Sequence, residues 1–344
     1  MNRKQALLTV AVLVFVVVSA SGCGSAAETS TEPGGEAAPP AETSIRFSWI
    51  HTIEYAGFYA AEAEGYYAEE NISVDLRGGG FDEDGNYLDP VTEVLDGEVD
   101  FGVMDAGVIL SARADGAPLV AVASIYQLHP IAFISLAEQG IERPQDLVGK
   151  TVDVSDNSQV VYDALLHSQG IEPGAVQTKV RSDFTVNPLV NGEVDVIDAW
   201  VTNEVVELGM AGIDVNTILA SDYGIEVYPN AIFTTEDMIA NNPDLVERFL
   251  RATVRGMQRV VDEPEYSGRL AVEYNEELDL EKETEGSFQA VSLLNPGGSK
   301  PGMMTPKAWN ATQDIMLEQG LLDGPMDLES VYTLEFLERI YAEG

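Results

Sequence analysis

Cysteine, histidine and lysine are scarce in this sequence of 344 residues, which contains one cysteine, three histidines and six lysines. A single cysteine cannot form a disulfide bond within the chain. The histidines, at positions 51, 129 and 167, show no spacing typical of metal ligands, and no serine lies in a nucleophile-elbow motif. The sequence therefore gives little support for an enzyme, and we expect no catalytic residue, no metal and no cofactor.

Basic residues are also few, because 18 Lys and Arg face 58 Asp and Glu, a formal net charge of −40 at pH 7. Nucleic-acid-binding proteins neutralise phosphates with Lys and Arg, so this balance excludes nucleic acid as a partner. Such acidity is typical of a salty habitat or of selection for solubility. A small anionic ligand is not excluded, since salt screens remote charges within about 8 Å.

The N-terminal apolar run covers residues 7–18, follows two basic residues and precedes four small residues and Cys23. This order is typical of a secretory signal, and the run is shorter than the roughly 20 residues that span a bilayer. Residues 20–23, Ala-Ser-Gly-Cys, resemble a bacterial lipobox, in which the cysteine carries diacylglycerol. We predict a signal peptide over residues 1–22 and a lipid on Cys23 that anchors the protein outside the cell membrane. The alternative is ordinary secretion with a free thiol.

The segment after Cys23 contains small and polar residues and no large apolar side chain up to position 43. Such a composition cannot bury enough surface to fold, so we predict a flexible tether over residues 23–43. The remaining 300 or so residues suffice for two lobes with sizeable cores. We assign residues 44–127 and 226–344 to lobe 1, and residues 128–225 to lobe 2.

A near repeat indicates that the two lobes share one plan, because LDGEVDF at residues 95–101 recurs as VNGEVDV at residues 190–196. In each copy a helix is predicted to end at the glycine and a buried strand to begin. The predicted strands are residues 45–49, 73–76, 100–104, 119–124, 131–136, 151–154, 177–180 and 195–198. Strands that alternate with helices predict an α/β fold of mostly parallel sheets flanked by helices.

Ligands of such sheets bind beyond the carboxyl ends of the strands, and a cleft between lobes is a common binding place. The loop at residues 49–55 combines aromatic, imidazole and carboxylate groups, which suit a flat ring that forms hydrogen bonds. Stacking of such a ring contributes roughly 1–3 kcal/mol per contact. The predicted ligand-binding residues are Trp49, His51, Tyr55, Asp105, Tyr126, Gln127, Asn157, Trp200, Asn203 and Glu204. Each has a structural alternative, such as helix capping near Asn157.

Two further segments have a simpler interpretation than their composition suggests. Residues 81–89 look like a calcium loop, but Val91 stands where the last ligand should be, so we predict a solvated loop that turns at Asp84 and Gly85. Four arginines at positions 248, 251, 255 and 259 follow one face of a helix predicted to begin at Pro243. We interpret them as partners of nearby acidic residues, with docking to a membrane partner as the alternative.

Several segments, in order, resemble ABC-transporter solute-binding proteins for thiamine pyrimidine precursors, within the wider sulfonate, nitrate and taurine group. They include Trp49 with EYAGFYAA at residues 54–61, GEVDFGV at 97–103, DLVGKTV at 146–152, and Asn203-Glu204. The resemblance implies a two-lobed periplasmic-binding-protein fold of type II, a small-molecule solute, and delivery to a permease driven by a cytoplasmic ATPase. It places Trp49 and Tyr55 beside the ring and Asn203 and Glu204 on polar ring atoms.

The sequence departs from that group in its acidic segment, residues 81–89, and in His51, where Asn is common. Riboflavin binders and sulfonate, nitrate or taurine binders of the same fold are therefore the alternatives. Fungal pyrimidine synthases share the fold but carry a cysteine-rich motif that is absent here, so a pyrimidine-synthesis enzyme is the alternative of a different class. We expect a monomeric binding protein.

Overall fold

The computed structural model describes residues 39–343. The predicted signal peptide, the lipid site at Cys23 and most of the predicted tether lie outside the described residues. Within them, no helix combines the length and the apolar character needed to cross a membrane.

Ten strands form two five-stranded sheets within residues 39–343. They are β1 (Ala41–Arg46), β2 (Ile72–Arg77), β3 (Phe101–Met104), β4 (Leu119–Ser124), β5 (Ile131–Leu136), β6 (Thr151–Val154), β7 (Gln177–Val180), β8 (Val196–Trp200), β9 (Val215–Leu219) and β10 (Ala231–Thr235).

The two sheets have the same plan. Lobe 1 has the order β2-β1-β3-β10-β4 and lobe 2 the order β7-β6-β8-β5-β9. In each sheet the first three strands are parallel, and the fourth, which enters from the other lobe, is antiparallel to its neighbours. The chain crosses between lobes after β4 and again after β9. This arrangement confirms the predicted α/β fold with two lobes of type II.

Thirteen α-helices of the described chain surround these sheets. They are α1 (Ala56–Ala63), α2 (Tyr66–Glu69), α3 (Pro90–Leu95), α4 (Ala106–Ala114), α5 (Gln159–Ser168), α6 (Asn187–Val190), α7 (Glu204–Met210), α8 (Glu236–Asn241), α9 (Pro243–Asp262), α10 (Pro264–Tyr274), α11 (Leu280–Leu294), α12 (Pro306–Glu318) and α13 (Glu335–Glu343). The predicted start of α9 at Pro243 is confirmed, since proline fits the first helical position.

Strand β1 begins four residues before its predicted start at position 45 and ends before Trp49. Its backbone pairs with β2 from Ala41 to Arg46, and the hydroxyl of buried Thr43 donates to the Asp100 carboxylate across 2.9 Å. Residues 41–43 therefore belong to the sheet and not to the tether. Backbone pairing holds them in place, and a composition without large apolar side chains does not reveal such pairing.

The core of lobe 1 fixes the position of α1, whose N-terminal end lies beside the cleft. Long helix α9 packs directly on α1, and a Cβ atom at Gly256 would lie only 2.0 Å from the carbonyl oxygen of Gly57. Two turns before Gly256, the rings of Phe249 and Phe101 stack with centroids 4.2 Å apart. The absence of a side chain at Gly256 thus sets how closely the two helices approach.

The arginines of α9 form ion pairs, as their spacing along one helix face predicts. Each guanidinium has at least one carboxylate partner within 3.3 Å, from the set Asp244, Glu247, Glu263, Glu64, Glu69, Glu70 and Glu343. Glu69 lies in α2, and Glu64 and Glu70 are the residues that end α1 and α2. Three of the arginines thus join α9 to the first two helices.

Candidate binding cleft

The carboxyl ends of the parallel strands meet the start of β10 at one edge of lobe 1. Ala231 pairs with Met104 at the end of β3 and with Ser124 at the end of β4. Residues that follow β1, β3 and β4 therefore lie at the same edge as Asn230. In a two-lobed α/β protein this edge faces the cleft.

Three aromatic rings at this edge are exposed to solvent, and we name Trp49, Phe81 and Tyr87 the aromatic shelf. Their exposed fractions are 44%, 61% and 38%. The Trp49 and Phe81 ring centroids are 6.1 Å apart, and those of Phe81 and Tyr87 are 5.7 Å apart, both in edge-on geometry. The Tyr87 hydroxyl donates to the Ser48 carbonyl oxygen across 2.9 Å, which fastens the shelf to the end of β1. Exposed apolar clusters of this kind mark binding surfaces.

The shelf depends on the acidic loop at residues 81–89. Phe81 and Tyr87 pair as an isolated antiparallel bridge, and the Asp82 carboxylate accepts from the backbone amides of Asp84 and Asn86 at 2.9 and 2.8 Å. Gly85 has a φ of +84°, which suits glycine. The predicted turn is confirmed, and it carries two shelf rings that are not among the predicted site residues.

Lobe 2 presents a ring of its own at the corresponding edge. Phe184 follows β7 and is 67% exposed, and the guanidinium carbon of Arg181 lies 5.8 Å from its ring centroid. The carboxyl edges of both sheets thus carry exposed aromatic side chains.

A polar cluster lies deeper, where the chain crosses between lobes, and we name Glu54, Tyr126 and Asn230 the crossover cluster. The Asn230 amide donates to Glu54 Oε1 across 2.5 Å. Burial raises the pKa of Glu54 to about 7, although hydrogen bonds from Tyr55 and Asn230 oppose the shift. Burial, and then the charge of Glu54, also raise the pKa of Tyr126, so its hydroxyl keeps its proton.

The Tyr55 ring lies in the core of lobe 1, whereas the resemblance places it beside the ring of the solute. Its ring is fully buried and stacks on Phe47 with centroids 4.0 Å apart. Its hydroxyl bonds to Ser48 Oγ at 3.0 Å and accepts from the Trp49 amide at 3.1 Å. Tyr55 therefore positions the residues that lead to the shelf, because its ring fills the core of lobe 1.

His51 is partly buried beneath the same loop. Its Nδ1 lies 3.0 Å from the Tyr59 hydroxyl, and a Cβ atom on Gly78 would come within 2.7 Å of its ring. Burial, and then the charge of Arg46, lower the pKa of His51. This neutral imidazole supports the loop from below.

Asp105 and Gln127 both have partners within the fold. Asp105 caps α4 and accepts from the Gly107 amide at 2.7 Å, and burial raises its pKa to about 6. The Gln127 amide donates to the carbonyl oxygens of Leu294 and Lys300 at 3.0 and 2.8 Å. Gln127 therefore ties the crossover to the end of α11, whereas Asp105 still lies at the cleft edge beside β3.

Two of the predicted site residues of lobe 2 are exposed, and the other two pack or form hydrogen bonds within the fold. Asn157 and Asn203 are exposed at the starts of α5 and α7, and neither side chain caps its helix. Trp200 is partly buried, with its ring centroid 6.5 Å from that of His129 in edge-on geometry. Burial lowers the pKa of His129 to about 3, so Trp200 packs beside a neutral imidazole.

Glu204 is held by groups within lobe 2, and its predicted contact with polar ring atoms of a solute stays a prediction. Its Oε2 accepts from the Trp200 amide at 2.9 Å, and its Oε1 lies 3.7 Å from Arg181 Nη2. Burial raises the pKa of Glu204, and the nearby Arg181 charge opposes this shift. A buried guanidinium requires carboxylate partners, and Glu204 is one of them.

The other partner of Arg181 is Asp198, on β8. The Arg181 guanidinium donates to the Asp198 carbonyl oxygen and to Asp198 Oδ1, the latter at 3.2 Å. Ser155 and Ser158 donate to Asp198 Oδ2 at 2.6 and 2.5 Å. This buried network holds the carboxyl ends of β6, β7 and β8 together beneath the cleft.

Two shallow depressions, of about 230 and 510 Å³, lie away from the cleft. Both are lined by Asp100, at the opposite edge of the lobe 1 sheet. Among residues 39–343, no group of three or more His, Cys, Asp and Glu side chains could hold a metal ion.

The fold and the cleft define a two-lobed protein of the periplasmic-binding-protein class. Its structure is similar to that of the periplasmic aliphatic sulphonate binding protein SsuA from Escherichia coli, with a TM-score of 0.65 and 14% identity, over 84% of this chain and 96% of that chain. The chain belongs to the NMT1/THI5-like family, whose model matches residues 52–267.

Curated relatives extend over nearly the whole chain. The riboflavin-binding protein RibY of Chloroflexus aurantiacus is 27% identical and covers 97% of this chain and 98% of its own. A formylaminopyrimidine-binding protein of Halalkalibacterium halodurans is 22% identical, covering 93% of this chain and 96% of its own. A 4-amino-5-hydroxymethyl-2-methylpyrimidine phosphate synthase of Legionella pneumophila is 25% identical, covering 85% and 91%. The relatives thus include proteins named as binders and a protein named as a synthase.

Proposed function

We propose that the protein is the solute-binding component of an ABC importer and that it captures a small heteroaromatic solute. The observation that carries this proposal is the aromatic shelf, three exposed rings at the cleft edge of lobe 1. Each aromatic contact with a flat ring contributes roughly 1–3 kcal/mol. Two such contacts supply a useful part of the roughly 8 kcal/mol that micromolar binding requires.

The solute that we propose first is a pyrimidine precursor of thiamine, and the second candidate is riboflavin. Both are flat heteroaromatic rings with a hydrogen-bonding edge. The relatives named as formylaminopyrimidine-binding and riboflavin-binding proteins support this pair of candidates. The shelf of three exposed rings favours these two candidates over a sulfonate, nitrate or taurine, because a flat aromatic ring can stack on it.

Contacts between the lobes support a cleft that closes over its solute. The Lys282 ammonium group on α11 lies 2.9 Å from the Glu207 carboxylate on α7. Nearby, a Cβ atom at Gly286 would lie 2.6 Å from the Thr202 carbonyl oxygen, so α11 touches lobe 2 closely. Closure would be a hinge motion at the two crossovers, and it would bring Phe184 towards the shelf.

We further propose that a lipid on Cys23 anchors a monomer to the outer face of the cell membrane. The basic, apolar and small-residue segments before Cys23 support an exported lipoprotein. The short tether would hold the cleft near a permease and its cytoplasmic ATPase. Lobe 1, from residues 41–127 and 226–344, and lobe 2, from residues 128–225, would then move as two bodies.

Calorimetric titration of residues 24–344 tests the proposed solute class. The probes are 4-amino-5-hydroxymethyl-2-methylpyrimidine, riboflavin, taurine and nitrate. We expect heat of binding with the pyrimidine or riboflavin and none with taurine or nitrate. Heat with taurine or nitrate alone would overturn the aromatic solute.

An enzyme of pyrimidine synthesis is the second candidate function, because relatives in the same family are named as synthases. The same titration samples test whether a bound solute is converted. Chromatography after prolonged incubation should recover each bound solute unchanged. Formation of a new pyrimidine product would show instead that the cleft is catalytic.

A further inference from the structure

The crossover cluster joins three distant parts of the chain at the cleft edge of lobe 1. Tyr126 follows β4 on the first crossover, and Asn230 ends the second crossover just before β10. The Ile125 amide donates to the Asn230 carbonyl oxygen across 2.9 Å, so the two crossovers run side by side. Glu54 reaches them from the turn before α1, through its hydrogen bond to the Asn230 amide.

Two polar atoms of this cluster are buried without a hydrogen-bond partner in the described structure. They are the Tyr126 hydroxyl and Asn230 Oδ1, on side chains that are 0% and 2% exposed. Buried polar groups nearly always have partners, and an unmade bond costs about 1–3 kcal/mol. Most other polar groups at this edge, including those of Tyr55 and Gln127, have partners within the fold.

The hydrogen bond to Glu54 also determines which atom of the Asn230 side-chain amide is left free to bind a solute. Because the amide nitrogen donates to the Glu54 carboxylate, the amide oxygen points the other way as a free acceptor. The Tyr126 hydroxyl, on the neighbouring crossover, is a donor that is also buried without a partner. The cluster therefore offers one acceptor and one donor on neighbouring chain segments.

We propose that Asn230 and Tyr126, with Glu54 as the positioning residue, recognise the hydrogen-bonding edge of the solute ring. Asn230 Oδ1 accepts from a ring N–H or an amino group, and the Tyr126 hydroxyl donates to the adjacent ring nitrogen or carbonyl oxygen. The matching solute has a donor next to an acceptor, as in an aminopyrimidine or a cyclic imide. This inference rests on the proposed function, since it places the polar edge of the same solute.

These contacts would also link binding to closure, because Tyr126 and Asn230 both lie on the crossovers. A solute bonded to Tyr126 and Asn230 touches the segments that bend when the lobes approach. Only contacts that differ between the open and closed forms can bias that motion.

The test measures affinities of the Tyr126→Phe and Asn230→Ala variants by calorimetry, with the probe that binds the parent protein. The matched control is Tyr67→Phe, which removes a buried hydroxyl that bonds to Thr253 Oγ1 at 3.0 Å, in the lobe 1 core. We expect each cluster variant to bind about 10-fold more weakly, a loss of about 1.4 kcal/mol. The control should bind as the parent does, and circular dichroism should show that all three variants are folded.

Modified probes test the same contact without any change to the protein. The 4-dimethylamino analogue of the pyrimidine and the N3-methyl analogue of riboflavin each lack the N–H donors of the proposed edge. Parent affinity should fall about 10-fold on methylation, and Asn230→Ala should show little further loss. Parent-like binding by both cluster variants, alongside weakened binding by Trp49→Ala, would overturn this inference alone. No heat with either aromatic probe in the parent protein would overturn the proposed function as well.

Discussion

The Asn230 side-chain amide lies 2.5 Å from the Glu54 carboxylate, a contact between residues separated by 176 positions in sequence. It joins the start of β10 to the turn before α1, where the chain enters the cleft. Glu54 is partly buried here, and neither of its side-chain hydrogen-bond partners, Tyr55 and Asn230, is a cation. A carboxyl group in such surroundings favours its protonated form.

We predict that Glu54 makes the protein less stable as the pH rises from 5 to 8. Burial raises its pKa from 4.5 to about 7 in the folded state. Between these values the folded protein holds a proton that the unfolded chain has released, so stability falls with increasing pH. The loss is at most about 3 kcal/mol, at roughly 1.4 kcal/mol per pKa unit.

Urea unfolding of the parent and of Glu54→Gln at pH 5 and pH 8 measures this contribution. The difference between the two proteins isolates Glu54, because Asp105 and His129 titrate in both. From pH 5 to pH 8, we expect the free energy of unfolding of Glu54→Gln to rise by about 2–3 kcal/mol relative to that of the parent. An identical pH dependence in both proteins would contradict the prediction.

We predict that the aromatic shelf contributes directly to solute affinity. Trp49→Ala and Phe81→Ala should each weaken binding by about 10-fold or more, because each removes a stacking surface of roughly 1–3 kcal/mol. Quenching of tryptophan fluorescence by the solute should also shrink in Trp49→Ala. Phe288→Ala is the matched control, since it removes a ring on α11 that is similarly exposed. A control that loses as much affinity as Phe81→Ala would indicate a general effect and not a shelf contact.

The sequence predicts most of the fold because the alternation of strands and helices is local. The near repeat at residues 95–101 and 190–196 correctly indicates two lobes with one plan. The error at β1 arises because pairing with β2, and the bond from Thr43 to Asp100, are long-range contacts. A local composition rich in small residues is compatible with either a tether or an edge of a sheet.

The site is predicted less well, because the role of each residue depends on partners distant in sequence. The Trp49 ring is 44% exposed, whereas the stack on Phe47 holds the Tyr55 ring in the core. Glu204 pairs with Arg181, and no local sequence pattern predicts that ion pair. Phe81 is visible in the sequence as part of the acidic loop, but only its bridge to Tyr87 shows that the loop presents rings.

We predict that Gly256→Ala destabilises the protein and that Gly209→Ala does not. A methyl group at position 256 would meet the Gly57 carbonyl oxygen at 2.0 Å, so α9 would have to move away from α1. Overpacking of this kind typically costs about 1–3 kcal/mol. Gly209 lies in α7, where a methyl group would have no atom within 4 Å, so alanine there should stabilise the helix by up to about 1 kcal/mol. Thermal unfolding of both variants measures the contrast, and equal midpoints would contradict it.

Arg181 should be the most sensitive ion-pair residue of the described structure. Its side chain is 2% exposed and holds both Asp198 and Glu204, whereas that of Arg255 is 41% exposed and pairs with Glu69. Removing one partner of a buried pair leaves an uncompensated charge and costs about 3–5 kcal/mol. An exposed pair contributes about 1 kcal/mol or less.

Urea unfolding of Arg181→Met and Arg255→Met compares these two cases. We expect Arg181→Met to lose at least about 2 kcal/mol more than Arg255→Met at pH 8. The gap should narrow as the pH is lowered, because burial raises the pKa of Glu204 and a protonated Glu204 no longer needs its partner. Equal losses of stability in the two variants at pH 8 would contradict the prediction. Lobe 2 would then tolerate two carboxylates without a cation partner, and Glu204 would be free to contact the solute.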